Sequence, residues 1–322
     1  MMGRGRFRQS DFIWGLAVIT CFSCGSASKK TTPQKTGSEN SSTLFTTQGI
    51  ASSAIQAELR PAEVVDGSIL LMNVQLPAAL KAIPILKARF GDEEVLLYSM
   101  PGKGAGVYQA PLGIPHSYPA GKSQAILIIG EGEAAKQIEL SFNVINAGYK
   151  TESLKVASRH VNPRRKDMIR IEKEIAEIKS VYDQVTLTKY WKGPFRLPIQ
   201  SAIRSPFGTK RLYNGEMRSF HQGLDLAAKT GTPIHAAAPG QVAMAQNLFF
   251  TGNTVLLDHG YGVFTIYAHM SRLKVRKGDI VEDNQILGLA GMTGRATGPH
   301  LHWGAVVQKA KVNPLDLTRV LE

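Results

Sequence analysis

Apolar and polar residues alternate with a period of two in run after run of this chain, and that pattern restricts it to sheet-based folds. Ile138, Leu140, Phe142 and Val144 alternate with Gln137, Glu139, Ser141 and Asn143, and Leu70, Met72, Val74 and Leu76 repeat the idea. Residues two apart in a strand share a face, so each run predicts a strand with one buried side. Turns rich in Gly and Pro at 101–106, 111–121 and 130–132 separate the runs. The reading is a small antiparallel sandwich of immunoglobulin type over 50–146. It has no cysteine pair, so it is not an antibody-type domain, and with no clustered catalytic groups it reads as a spacer or binding arm. From 196 to 322 the chain is again rich in Gly and short strands, at 241–246, 253–259, 262–269 and 302–307. The fold class is therefore mainly β, with a second all-β domain at the C-terminal end.

Residues 147–195 join the two. Met168, Ile171, Ile175, Ile178, Tyr182 and Val185 recur at helical spacing after Asn162-Pro163, which predicts an amphipathic helix over about 163–186. The run is shorter than the three or four heptads a coiled coil needs, so the helix is expected to pack on a neighbouring domain and the chain to be a monomer.

The N-terminal end has a different character. Arg4, Arg6 and Arg8 precede an apolar stretch from Phe12 to Phe22, and small residues follow from Ser23 to Ser28. This three-part order is that of a secretory signal, assigned to residues 1–24. The stretch is too short to span a bilayer, which takes about 20 residues. Export to the periplasm or cell envelope is expected. Cys24, between Ser23 and Gly25, resembles a lipoprotein cleavage site and offers a lipid anchor; cleavage near Ser26-Ala27-Ser28 is the alternative. Both cysteines, Cys21 and Cys24, lie here, so the mature protein has no disulfide framework. Residues 25–49, rich in Ser, Thr, Lys and Gly, read as a flexible tether.

The net charge of +13 is spread unevenly: +2 over 1–24, zero over 25–146, +5 over 147–195 and +6 over 196–322. An anionic partner is favoured, but basic runs with interleaved aromatics are missing, so nucleic acid is not the expected one.

Six of the eight histidines fall in the last segment. In the strand His300-Leu301-His302-Trp303 the leucine and tryptophan take the core parity, which turns both imidazoles toward a cleft. At 264–269, Phe264 and Ile266 are assigned to the core and Thr265, Tyr267 and His269 to the polar side. In His221-Gln222-Gly223-Leu224-Asp225, Leu224 and Leu226 point inward while His221 and Asp225 face the cleft. An ideal strand would hold these two about 13 Å apart. Gly223 is the residue that allows a bend between them; a helix would carry that glycine at a cost of about 1 kcal/mol and has no periodicity around it.

Taken together, His221 to Asp225, Tyr267-Ala268-His269 and Thr297-Gly298-Pro299-His300-Leu301-His302-Trp303-Gly304 resemble the ordered motifs of the lysostaphin-like zinc endopeptidases. Ser205-Pro206-Phe207-Gly208 and Gly252-Asn253-Thr254-Val255 match as well, so the resemblance spans roughly 196–317. It implies one zinc ion per chain, held by His221, Asp225 and His302, with His269 and His300 beside the metal water as base and as stabiliser of the tetrahedral intermediate, in either order. Two imidazoles and a carboxylate leave a fourth tetrahedral position for water, as catalytic zinc requires. No His-Glu-x-x-His signature is present, so a base other than that glutamate is needed, and imidazole can exchange protons near neutrality. The resemblance implies a secreted endopeptidase acting on the peptide cross-links of bacterial peptidoglycan, whose carboxylates suit a basic domain. The alternative of a non-catalytic wall-binding module or amidase activator is disfavoured by the intact ligand set. His116, His160, His235 and His259 have no such pattern and are expected to be structural or exposed.

Overall fold

A computed structural model describes residues 43–44, 55–77, 84–154, 163–213 and 216–321; the assigned signal segment and nearly all of the tether lie outside them. Among the described residues no helix is long and apolar enough to cross a membrane.

The N-terminal half is built from β1 (Thr43–Leu44), β2 (Gln56–Arg60), β3 (Glu63–Val65), β4 (Ile69–Gln75), β5 (Leu86–Phe90), β6 (Glu93–Leu96), β7 (Tyr98–Ser99), β8 (Val107–Gly113), β9 (Gly121–Ile129) and β10 (Lys136–Ile145). They form two five-stranded sheets, ordered β1-β2-β4-β8-β7 and β3-β10-β9-β5-β6. That is the A-B-E-D and G-F-C arrangement of an immunoglobulin-like sandwich. The inward sets are those the alternation assigns: Leu70, Met72, Val74, Leu140, Phe142 and Val144 share one core with Ala88, Leu112 and Leu127.

β4 is not free on its other side, however. Ile69 and Leu71, with Tyr98 and Met100, join the core of the C-terminal half, where they meet Trp191 and Phe195. The sandwich is thus docked on its neighbour. Gly113 lies against the Val307 carbonyl and Ala310, where a side chain would collide. Asn313 N–H donates to Gly67 O at 2.7 Å.

The connection adds β11 (Thr151–Leu154) and helix α1 (Arg165–Tyr182). The C-terminal half comprises β12 (Ile203–Ser205), β13 (Lys210–Tyr213), β14 (Glu216–Phe220), β15 (Leu224–Ala227), β16 (Pro233–His235), β17 (Gly240–Leu248), β18 (Gly252–Gly260), β19 (Val263–Met270), β20 (Arg272–Leu273), β21 (Ile280–Val281), β22 (Ile286–Leu289), β23 (His300–Val307), β24 (Ala310–Val312) and the short α2 (Pro314–Leu317). Its main sheet runs β12-β15-β23-β19-β18-β17-β21, with β24 on β23.

Both faces of this sheet carry apolar residues. Leu224, Leu226, Leu301, Trp303, Tyr267 and Val263 lie in the main core. On the opposite face, Met244, Leu248, Leu256, Phe264 and Val306 are covered by Val181 of α1, with Ile178 and Tyr182 beside it. An amphipathic helix of 18 residues gains little alone, so this packing is what stabilises it. α1 covers the part of that face around Met244, Phe264 and Val306, and Ala268 and His302 lie beyond it at the other end of β19 and β23.

Candidate metal centre

Register creates the centre. In the antiparallel pair β15/β23, Asp225 is the direct partner of His302 and Ala227 of His300; in β19/β23, Ala268 is the partner of His302. Directly opposed residues share a face, so Asp225, His302 and Ala268 all project away from the main core and into the cleft. His221 enters from the segment before β15, anchored by His221 N–H to Thr209 O and Gly208 N–H to His221 O, both at 2.8 Å.

Three atoms able to ligate an ion meet there. His221 Nε2 is 2.9 Å from Asp225 Oδ1, His302 Nδ1 is 3.0 Å from the same oxygen, and the two ring nitrogens are 3.0 Å apart. His221 Nδ1 faces the Pro206 carbonyl at 2.9 Å. A carbonyl can only accept, so Nδ1 carries the proton and Nε2 is a bare lone pair. Burial lowers the pKa of His221 and pushes that of His302 down to about 4, so both rings are neutral near pH 7.

With His221 Nε2 unprotonated, Asp225 Oδ1 and His302 Nδ1 converge on it closely enough for all three to share one cation. Ligand atoms about 2.0–2.1 Å from one tetrahedral zinc would lie roughly 3.3 Å apart, close to the spacing of this set. The donor set therefore fits a small divalent ion of borderline softness, with a corner left over. Gly223 lines the same space: a Cβ there would sit 2.8 Å from His302 Nε2 and 2.5 Å from the Trp303 carbonyl. Its φ is not left-handed, so the glycine serves close approach of β15 to β23 more than the bend expected from sequence.

His269 and His300 flank the trio. Their rings are 4.8 Å apart, and His269 lies 6.0 Å from His302, centroid to centroid. His300 Nε2 approaches Asp225 Oδ1 at 3.7 Å. Each ring is pinned by Nδ1–H, donated to Thr293 O from His269 and to Gly298 O from His300, both at 2.8 Å. Nε2 is left as the working nitrogen in each case. Burial, then the neighbouring His302 and His300, pushes His269 down to about 3.

His269 reaches the cleft by a route the alternation misses. Thr265 and Tyr267 share its parity but are fully buried, and Tyr267 lies in the main core opposite Trp303. Continued strand geometry would send His269 inward too. Instead it adopts φ 60°, unusual for a residue with a Cβ, and so leaves the strand alternation. Its N–H donates to Thr251 O at 2.8 Å. Behind it, Gly252 presses on Thr293, whose hydroxyl bonds Asn253 N–H and Met270 O, so the 252–255 segment braces the loop that orients His269.

Of the other histidines, His259 is buried between Pro239 O and Thr265 Oγ1, and His116 stacks between Tyr149 and Phe220 under the sandwich. His235 bonds Asn284 O, and His160 lies outside the described residues. Sequence reasoning passed over Arg211, whose guanidinium touches Asp225. Nothing in the local pattern marks it.

Residues 219–314 match the profile of peptidase family M23. The chain carries an M23 peptidase domain. Among proteins similar to it are the peptidoglycan DD-endopeptidase ShyA of Vibrio cholerae, 40% identical over 123 residues, and the DD-carboxypeptidase/endopeptidase Mpg of Neisseria meningitidis, 37% identical over 128 residues. These matches cover 37% and 39% of this chain but only 29% and 30% of those proteins, so the likeness is one of M23 domains. A crystal structure of a candidate peptidase M23 from Pseudomonas aeruginosa is similar over more of the fold: 28% identity, TM-score 0.61, covering 79% of this chain and 94% of that one. That overlap is too long to be the M23 domain alone.

Proposed function

We propose that this protein is an exported, zinc-dependent endopeptidase that hydrolyses peptide cross-links of bacterial peptidoglycan. The observation that carries the reading is the convergence of three atoms able to ligate one ion, His221 Nε2, Asp225 Oδ1 and His302 Nδ1, beside two imidazoles pinned through Nδ1. The names of the Vibrio and Neisseria relatives support a D,D-peptide bond as the target. The basic C-terminal domain suits a polymer rich in carboxylates.

His221, Asp225 and His302 would hold the ion. Bound there, zinc lowers the pKa of a coordinated water to about 7 and polarises a substrate carbonyl. His269 and His300 supply the proton traffic. A neutral Nε2 accepts the proton of the attacking water and later delivers it to the leaving amine; the other ring, its Nδ1–H already given to a backbone carbonyl, would donate to the carbonyl oxygen only as the imidazolium, with a second proton taken from solvent onto Nε2. Pinning through Nδ1 fixes both ring directions and, in the neutral ring, the tautomer that the accepting role needs.

The test is zinc content and release of peptide fragments from purified sacculi. Wild type should carry about one zinc and cut. His302→Ala should lose metal and activity together, and His269→Ala should keep metal but lose turnover. Full activity in His221→Ala or His302→Ala would refute the reading. For export and anchoring, mass spectrometry of the mature N-terminus should find a diacylated Cys24, or an end near Lys29 if ordinary signal cleavage applies; an intact Met1 in exported material would refute both.

A further inference from the structure

Asp225 uses its two oxygens differently. Oδ1 faces the imidazoles of His221, His302 and His300. Oδ2 receives Arg211 Nη2 at 2.8 Å, and both side chains of that pair are largely buried. A carboxylate left free on one side can rotate and present both oxygens to an ion, which would fill the corner that water needs. A guanidinium on Oδ2 opposes that rotation.

Arg211 is itself held from outside the M23 domain. The parallel pair β11/β13 sets Glu152 directly beside Arg211, and Lys210 N–H donates to Lys150 O. Glu152 Oε2 lies 3.8 Å from Arg211 Nε and accepts the Ser205 hydroxyl at 3.2 Å. Ser205 Oγ in turn accepts from Arg211 Nη2 at 3.3 Å. Glu152 belongs to the segment that leaves the sandwich, so the connection between the domains forms part of the wall behind the metal ligands.

We propose that Arg211 is a positioning residue that reserves Asp225 Oδ2, so that Asp225 offers an ion Oδ1 alone and one coordination corner stays open, and that Glu152 from β11 keeps Arg211 in place. This rests on the peptidase reading of the centre. It extends that reading to a residue that touches neither ion nor substrate and to a strand outside the family-matched segment.

The test uses the full chain loaded with Co²⁺, whose visible absorption weakens as the coordination number rises above four. Wild type, Arg211→Met, Arg211→Lys and Glu152→Gln are compared by that spectrum, by competition with a chelator for zinc, by thermal unfolding and by steady-state cleavage of solubilised peptidoglycan. Arg211→Met should weaken the cobalt bands and lower kcat about 10–100-fold, the range typical of lost outer-sphere partners, with KM changed less than about twofold. Arg211→Lys keeps the charge without the planar fork and should recover part of both signals. Glu152→Gln, at a half-exposed pair, should move kcat in the same direction by at most about fivefold.

A folded Arg211→Met with a wild-type cobalt spectrum and wild-type kcat overturns the proposal. So does a loss of activity that merely follows a loss of folded protein while the spectrum of the folded fraction is unchanged. A wild-type chain that takes up cobalt but cuts no peptidoglycan overturns the peptidase reading instead, and the spectra of the variants then judge Arg211 separately. A wild-type chain that takes up no metal overturns both.

Discussion

Replacing Gly223 by alanine tests how the centre is built more directly than replacing a ligand. The added methyl would lie 2.5 Å from the Trp303 carbonyl oxygen and 2.8 Å from His302 Cε1 and Nε2. The Trp303 carbonyl is backbone of β23, so no side-chain rotation relieves that clash. β15 must move away from β23 by roughly 0.7 Å, an overpacking worth about 1–3 kcal/mol of stability. That displacement falls on the strand pair that opposes Asp225 to His302, now 3.0 Å apart. Misplacement of about 1 Å at a reacting centre costs on the order of 100-fold in rate. Gly223→Ala should therefore remain folded, with unfolding free energy lowered by about 1–3 kcal/mol, while zinc affinity and sacculus cleavage fall by about 100-fold. Chemical denaturation, zinc competition and fragment release are the assays. A variant with wild-type stability and zinc affinity would refute the argument that close approach of the two strands makes the site.

The same geometry predicts three further outcomes. Removing metal with a chelator should leave the ligand atoms without a cation and lower the unfolding temperature, restored by zinc; at free zinc about 1,000-fold above Kd the stabilisation is about 4 kcal/mol, and an unfolding temperature indifferent to metal would contradict the fit. Burial pushes His259 down to about 4 from an unfolded value near 6.5, so its folded ring resists protonation. Its contribution to stability is complete above about pH 6.5 and is lost as pH falls toward 4, by about 3 kcal/mol, so His259→Gln should flatten the stability profile in that window. Gly113→Val would press a side chain into the Val307 carbonyl across the docked domains; calorimetry should change from one cooperative transition to two, and an unaltered single transition would argue against a shared core.

Much of this molecule follows from local rules that a sequence carries openly. Period two is a property of strand backbone alone, so Leu301 and Trp303 against His300 and His302 assign a core face and a cleft face before any partner strand is known. The same rule places Leu224 and Leu226 inward and Asp225 outward. It fails at His269, because a left-handed φ set by contacts with Thr251 and Thr293 is a consequence of packing between segments far apart in the chain. It also misreads Thr265 and Tyr267, whose parity belongs to the main core, because which face of β19 the core occupies is set by β23.

Sequence alone, then, determined the alternating strands, the helical stripe from Met168 to Tyr182, though not its expected continuation to Val185, which lies past the helix end and is exposed, and the chemical types able to bind an ion. Tertiary structure decided the distances: Asp225 faces His302 only through antiparallel register, and Arg211 reaches Asp225 from a separate hairpin that β11 extends. The same is true of the docking of Ile69, Leu71, Tyr98 and Met100 on the C-terminal half. Periodicity is encoded residue by residue, whereas contacts between distant segments depend on which pairings bury the most surface and leave the fewest polar groups unmatched.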